Sequence, residues 1–477
     1  MSISLSYSEF MNFYNNHSTI LSATSVLNKL YNRCFSQDFN ITEEAETFVI
    51  LGTDSDVNLL QNPEYIEYIT IMYKYPDRYE LWGVCGSIMS NITKLTRKTL
   101  IDIINSILID SNNPIILYVD FENPYWNRAL GLYSSIGFSN PESIKFGEKT
   151  LMRMTYTNII DKTVTRNIAN QLRGEYYSSL GYIINKVVFK KEDLEYFREF
   201  AIRHSREYGG AIGIISNEFQ NISELYVGNY IQYGNARVKV SDFYTIFHTH
   251  PDSTKIHVLT SPPSVTDLIN MIKMSDTTCR QYIFESSGFY TIGVNIKVLP
   301  LLDENIIALI ERRLEDIITK YFRYICDYIK IDYPLDSEYH KTVLISEYIS
   351  EIHSINLRSL GVGKDTQYII NVEYNNYGND YTDYILSDRK EYKGVNIEGL
   401  VFVNSNMQLL NIIMTELDNR ARLEGCHAGE EYNIRDICDP TDRPQYPCTD
   451  RWDQVDLLDL LRKYPNPESL LQFINND

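Results

Sequence analysis

His248-Thr249-His250-Pro251, followed by Ser264-Val265-Thr266-Asp267, offers two imidazoles and one carboxylate within a short stretch of chain. Three protein ligands with a fourth position left for water is the arrangement of a catalytic zinc rather than a structural one. Histidine is sparse here, eight among 477 residues, so a spaced pair stands out. Each part also has a plainer use. Ser264-x-x-Asp267 alone is a capping box, in which Ser satisfies orphan backbone N–H groups. A lone Glu207 is a solvated charge at a helix end.

The elements around these residues decide whether they can meet. Phe243-Tyr244-Thr245-Ile246-Phe247 is β-branched and aromatic and reads as a strand. Residues two apart on a strand face one side, so His248 and His250 point together. Pro251 ends the ladder. Pro262-Pro263-Ser264 opens a helix whose apolar face is Leu268, Ile269, Met271 and Ile272, which puts Asp267 in the first turn. Upstream, Leu194 to His204 has helical periodicity. A Gly-punctuated apolar strand, Glu207 to Ile215, follows it. A zinc-activated water needs a base, and Glu207 at the start of that strand fits the role.

Glu207-x-x-Gly210, His248-x-His250-Pro251 and Ser264-x-x-Asp267 together resemble the JAMM motif of MPN-domain metalloproteases, a family that includes deubiquitinating isopeptidases. The resemblance runs from about Lys186 to about Tyr324. It implies that His248, His250 and Asp267 bind Zn2+, that Glu207 is general base and acid, and that Ser264 steadies the oxyanion. The implied substrate is a protein, a ubiquitin or ubiquitin-like conjugate. One departure stands out: His250 to Asp267 spans 17 positions, where the family has about 11. The additional residues lie in Asp252 to Thr260 and include His257, which reads as an exposed loop residue or else as a third imidazole near the ion. The longer loop costs only ~0.4 kcal/mol of closure entropy.

The N-terminal third is organised differently. Strands are expected at Glu67 to Tyr73, Tyr79 to Cys85, Pro114 to Val119 and Thr150 to Thr155, with helices at Thr96 to Leu108 and Tyr125 to Ser135. The stretch from Leu117 through Asn123, Ala129, Leu132-Tyr133 and Gly137-Phe138 resembles the C-terminal half of a GNAT acetyltransferase. That resemblance implies acetyl-CoA beside the second helix and Tyr133 as donor of a proton to the departing thiolate. The phosphate-cradling turn is degenerate. Gly86 to Lys98 has no Gly-x-Gly and offers Lys94, Arg97 and Lys98 as point charges.

The formal charge is −19 without long acidic runs, which argues against non-specific binding to nucleic acid or to anionic membranes. Met1 to Leu21 lacks a signal-peptide pattern and no apolar run reaches membrane-spanning length. Seven scattered cysteines fit a reducing, cytoplasmic setting. Cys426-His427, Cys438 and Cys448 cluster without a C-x-x-C pair, a weak pattern for a second zinc. Thirty-eight tyrosines, with abundant Ile and Asn, are similar to the composition of proteins from large DNA viruses.

The expected fold is mixed α/β: a GNAT-like domain over 1–158, an MPN-like domain over 180–335, and an α+β region over 336–477. Glu304 to Lys330 and Ser346 to Ile355 read as helices, Tyr368 to Val372 and Leu400 to Val403 as strands. Val455 to Leu461 and Leu470 to Ile474 read as amphipathic helices that dock on this chain. Three functions compete. The first is a zinc isopeptidase or peptidase. The second is a non-catalytic scaffold or virion component using both folds for assembly. The third is an N-acetyltransferase with an appended MPN module.

Overall fold

The computed structural model describes residues 2–18, 44–53, 57–86, 92–123, 126–158, 160–204, 206–216, 219–230, 244–251, 262–330, 338–388, 396–398, 401–423 and 455–476. It divides into two compact units, Met1–Tyr176 and Tyr177–Asp477, and both mix helices with sheet.

The first unit contains β1 (Ser2–Ser6), α1 (Tyr7–Ser18), β2 (Glu46–Gly52), β3 (Tyr68–Lys74), β4 (Tyr79–Gly86), α2 (Ile92–Asp110), β5 (Ile115–Asp120), α3 (Trp126–Ser135), β6 (Phe138–Phe146) and β7 (Lys149–Tyr156). They build a seven-stranded sheet in the order β1-β2-β3-β4-β5-β7-β6. Period-two alternation gives the sheet two apolar faces. Leu81, Leu117 and Met154 pack with Leu100, Ile104 and Leu130 of α2 and α3. Val49, Leu51 and Ile69 pack on the other side with Phe10 and Phe13 of α1. Strands β4 and β5 run parallel. Among the described residues their ladder covers only Tyr79↔Ile115, Glu80↔Ile116 and Leu81↔Leu117, although each strand continues beyond it.

Helix α4 (Lys162–Ser179) contains the boundary between the units. The second unit then runs β8 (Ile183–Phe189), α5 (Lys191–Arg203), β9 (Arg206–Ser216), β10 (Phe219–Tyr230), β11 (Thr245–Thr249), α6 (Val265–Lys273), β12 (Arg280–Phe284), β13 (Gly288–Val294), α7 (Glu304–Lys330), α8 (Glu338–His353), β14 (Ile370–Asn376), β15 (Tyr381–Ser387), β16 (Asn396–Glu398), α9 (Val401–Leu423), α10 (Leu457–Lys463) and α11 (Pro467–Asn476). A six-stranded sheet has the order β10-β9-β11-β12-β13-β14, with β11 and β12 parallel at its centre, and a small sheet has the order β15-β8-β16.

Helices cover both faces of the six-stranded sheet. Ile283, Tyr290 and Ile292 meet Leu268 and Ile272 of α6, Ile310 and Leu314 of α7, and Tyr348 of α8. Tyr208, Phe247, Tyr282 and Phe284 meet Phe197 and Phe200 of α5, Ile413 and Leu417 of α9, and Leu458 and Leu470 of α10 and α11. The last 142 residues read from the sequence as a third region therefore supply β14 to the sheet and helices to both cores. One element needs correction. Leu400 to Val403 reads as a strand, but Val401 begins the 23-residue helix α9. The β-branched start is outweighed by the helical spacing of Leu410, Ile413, Met414 and Leu417, whose burial needs that helix.

A buried polar clamp fastens α9 to the start of β9. Arg206 is fully buried and its Nε lies 3.2 Å from Asp418 Oδ1, while His204 Nδ1 lies 3.2 Å from Asp418 Oδ2. A guanidinium terminal nitrogen also donates to the Leu417 carbonyl at 3.2 Å. Removing one partner from such a pair strands a buried charge. Asp418→Ala is expected to destabilise the full chain by about 3–5 kcal/mol in denaturant unfolding. Glu46→Ala, which breaks the exposed pair with Lys74, is expected to cost below about 1 kcal/mol. Equal losses from the two variants would remove the clamp from this account.

Candidate metal centre

All five residues of β11 are buried, and the strand has a neighbour on each side. Phe247 points into the core shared with α5 and α9, so His248 points to the opposite face. His250 N donates to Phe284 O at 2.8 Å, which holds the chain in the ladder for one residue more. Both imidazoles therefore emerge on one side, with Nε2 atoms 3.2 Å apart and ring centroids 5.0 Å apart.

The third group arrives from α6. Ser264 is the N-cap, and its Oγ accepts from Asp267 N at 3.2 Å. Asp267 Oδ2 accepts from Ser264 N and Ser264 Oγ, both at 2.7 Å. Asp267 Oδ1 lies 3.5 Å from His248 Nε2, and Oδ2 lies 3.8 Å from His250 Nε2. The cap and the ligand set thus share one carboxylate. The Tyr348 hydroxyl of α8 donates to the Pro263 carbonyl, fixing the residue before the cap from behind.

These separations suit a small cation. Zinc bonds of about 2.0–2.2 Å in a tetrahedron place neighbouring ligand atoms roughly 3.3–3.5 Å apart. The three donor atoms lie within 4.8 Å of one another, and the side chains of His248, His250 and Asp267 are 5, 11 and 17% exposed. Burial pushes the His248 pKa down to about 4; Asp267 works against this and His250 adds to it. His248 is therefore neutral at pH 7, the form that ligates a metal. Burial acts to raise the Asp267 carboxyl, but the two rings and the Ser264 hydrogen bonds outweigh it and hold Asp267 below the usual carboxylate range.

Glu207 is half-buried on β9. The antiparallel register pairs Phe247 with Gly210 and His248 with Gly209. Tyr208 N donates to Thr249 Oγ1 at 3.0 Å, which extends that alignment by one residue. Tyr208 faces the core with Phe247, so alternation puts Glu207 on the face that carries His248. Ser264 is exposed, and its hydroxyl proton is engaged by Asp267 Oδ2. His257, most of the long loop, and the Cys426, His427, Cys438 and Cys448 cluster lie outside the described residues.

In the first unit, Tyr133 is buried beside Phe138, with ring centroids 6.2 Å apart, and burial raises its pKa. The Arg97 guanidinium reaches Ser135 O at 3.5 Å, Lys98 is exposed, and the Lys94 side chain lies outside the described residues. A constellation missed in the sequence centres on Glu80, 3% exposed. Its carboxylate accepts from Arg78 Nε at 2.7 Å, Tyr118 OH at 3.0 Å and Trp82 Nε1 at 3.1 Å. The Trp82 ring lies 4.9 Å from Tyr118 and 5.3 Å from Phe146. The signal was the alternation Arg78-x-Glu80-x-Trp82, which places all three on one sheet face.

No protein-family model matches the chain, and no curated protein matches it. Among solved structures, the chain is similar to Escherichia coli ElaA, at 15% identity over 33% of this chain and 99% of that one, with a TM-score of 0.23. It is similar to a spermidine N-acetyltransferase of Vibrio cholerae at 16% identity, over 33% and 95% of the two chains, with a TM-score of 0.21. It is likewise similar to an acyl-CoA N-acyltransferase of Pseudomonas aeruginosa at 9% identity, over 33% and 99%, with a TM-score of 0.21. Among the described residues no helix is long and apolar enough to cross a membrane.

The electrostatics give a signed pH dependence for metal-free protein. The folded pKa of His248, about 4, lies below the ordinary histidine value of about 6.5, so the unfolded chain binds more protons between these values. Stability then rises with pH across that window and falls as pH drops from about 6.5 toward 4. Chelator-treated protein is expected to show this slope in thermal unfolding, and His248→Gln is expected to flatten it. An unchanged slope in that variant would contradict the burial account of His248.

Proposed function

We propose that His248, His250 and Asp267 hold a zinc ion and that the chain hydrolyses an amide bond there. The convergence of two buried imidazoles and a carboxylate at 3.2, 3.5 and 3.8 Å carries this reading. Zinc bound at such a site supplies Lewis acidity, which polarises an amide carbonyl and acidifies water. Glu207 then does the proton work. Its carboxylate takes a proton as water oxygen attacks the carbonyl carbon, and returns it to nitrogen as the C–N bond breaks. Ser264 Oγ donates to the developing oxyanion, which requires its hydroxyl proton to leave Asp267 Oδ2. A ubiquitin or ubiquitin-like conjugate is the substrate class that the JAMM resemblance supports.

Glu207→Gln is expected to lower turnover of an isopeptide or peptide substrate by at least about 100-fold while leaving one equivalent of zinc bound. The checks are substrate cleavage and metal analysis on the same preparation. Full turnover in the zinc-loaded variant would sink the mechanism.

A second reading concerns the first unit. We infer acetyl-CoA binding beside α3, the helix that the GNAT resemblance sets against that molecule. Tyr133, kept protonated by burial, is the proton donor in this reading. Titration calorimetry with acetyl-CoA tests it. The degenerate phosphate turn leads to an expected affinity much weaker than that of a cradled pyrophosphate, and no heat at millimolar ligand would remove the reading.

A further inference from the structure

We propose that Gln281 is a positioning residue of the metal centre: its amide oxygen holds His248 through Nδ1–H and leaves Nε2 as the lone pair facing Asp267 and His250. The inference rests on the zinc reading of that site. Gln281 lies on β12, where Ile246 pairs with Gln281 and His248 pairs with Ile283. It is therefore on the same sheet face as His248, one step along, and only 4% exposed. Ile283, two residues on along the same face, is fully buried and packs in the apolar core of α6, α7 and α8.

Two facts bear on its orientation. Gln281 Nε2 lies 3.2 Å from His248 Nδ1. Gln281 Oε1 is buried and has no hydrogen-bond partner among the described residues. With the nitrogen on Nδ1, the amide donates to the ring, and the ring's own proton must sit on Nε2, between the two histidines. That arrangement is self-consistent only while the histidines share a proton. Half a turn of the amide exchanges O and N at nearly constant shape. The oxygen then accepts from Nδ1–H, and His248 Nε2 presents a bare lone pair. A buried polar group without a partner is costly, so a glutamine here calls for a use that Leu or Met would not serve. Holding a ligating imidazole by its far nitrogen is such a use.

The test compares cobalt and zinc affinities of the full chain by chelator competition. Gln281→Met keeps volume and loses the acceptor, and is expected to weaken binding 10- to 100-fold. Gln281→Glu keeps only acceptors and is expected to bind within about threefold of wild type, or tighter. Nitrogen NMR of the wild-type His248 ring gives a readout independent of folding in the variants: Nδ1 protonated with metal, Nε2 protonated without. Metal affinity unchanged in Gln281→Met, beside a loaded wild type, overturns this inference alone, as does a loaded His248 protonated at Nε2. A wild-type chain that takes up no metal overturns the zinc reading, and this inference with it.

Discussion

Two imidazole nitrogens 3.2 Å apart, both buried and both beside one carboxylate, cannot all keep lone pairs pointed at one another. Something positive must lie between them, a proton or a metal ion, because lone-pair repulsion in a dry interior is poorly screened. Much of the second unit follows from creating and tolerating that constraint. The site needs a strand that cannot twist away, and β11 is flanked on both sides and buried along its length. It also needs a carboxylate that cannot drift, and Asp267 is tied to its own helix cap.

The two faces of the six-stranded sheet divide the labour. Helices α6, α7 and α8 make the face that carries the donor set, and α8 contributes Tyr348 as a prop under the cap. Helices α5, α9, α10 and α11 make the other face, which is aromatic and carries no metal-binding group among the described residues. Arg206 and Glu207 show the division within two residues. Arg206 is bound to Asp418 of α9 on one side of the strand, and Glu207 lies on the other. A second tie, Arg280 and Tyr282 to Asp383 at 2.9 and 3.0 Å, fastens β12 to the small sheet.

What the sequence disclosed was local. The alternation around His248 and the cap at Ser264 are short-range patterns, and each element came out in the expected type. The helix at Val401 was misread because its first three residues favour a strand in isolation, while the residues that bury it come later. The role of 336–477 was illegible for a related reason. The pairing of β14 with β13 joins residues about 80 positions apart, and no local pattern encodes that partner. Gln281 carries no signal in the sequence, since a glutamine announces nothing until its neighbour is known. Glu80 is not legible as a hub because one of its three donors, Tyr118, lies on another strand 38 positions away.

Asp267 is helix cap and candidate ligand at once. A carboxylate has two oxygens, and here both roles fit on them: Oδ2 takes both hydrogen bonds from Ser264 and lies 3.8 Å from His250 Nε2, while Oδ1 faces His248 Nε2. Capping supplies the rigidity that ligation needs. An uncapped Asp in a first helical turn samples several rotamers, and each rotamer moves Oδ1 away from the histidines. Two charge-assisted bonds at 2.7 Å select one of them. The same bonds engage the Ser264 hydroxyl proton that the oxyanion role requires. Ser264 can serve the reaction only by loosening the group it helps to aim, so positioning and chemistry are coupled through one oxygen.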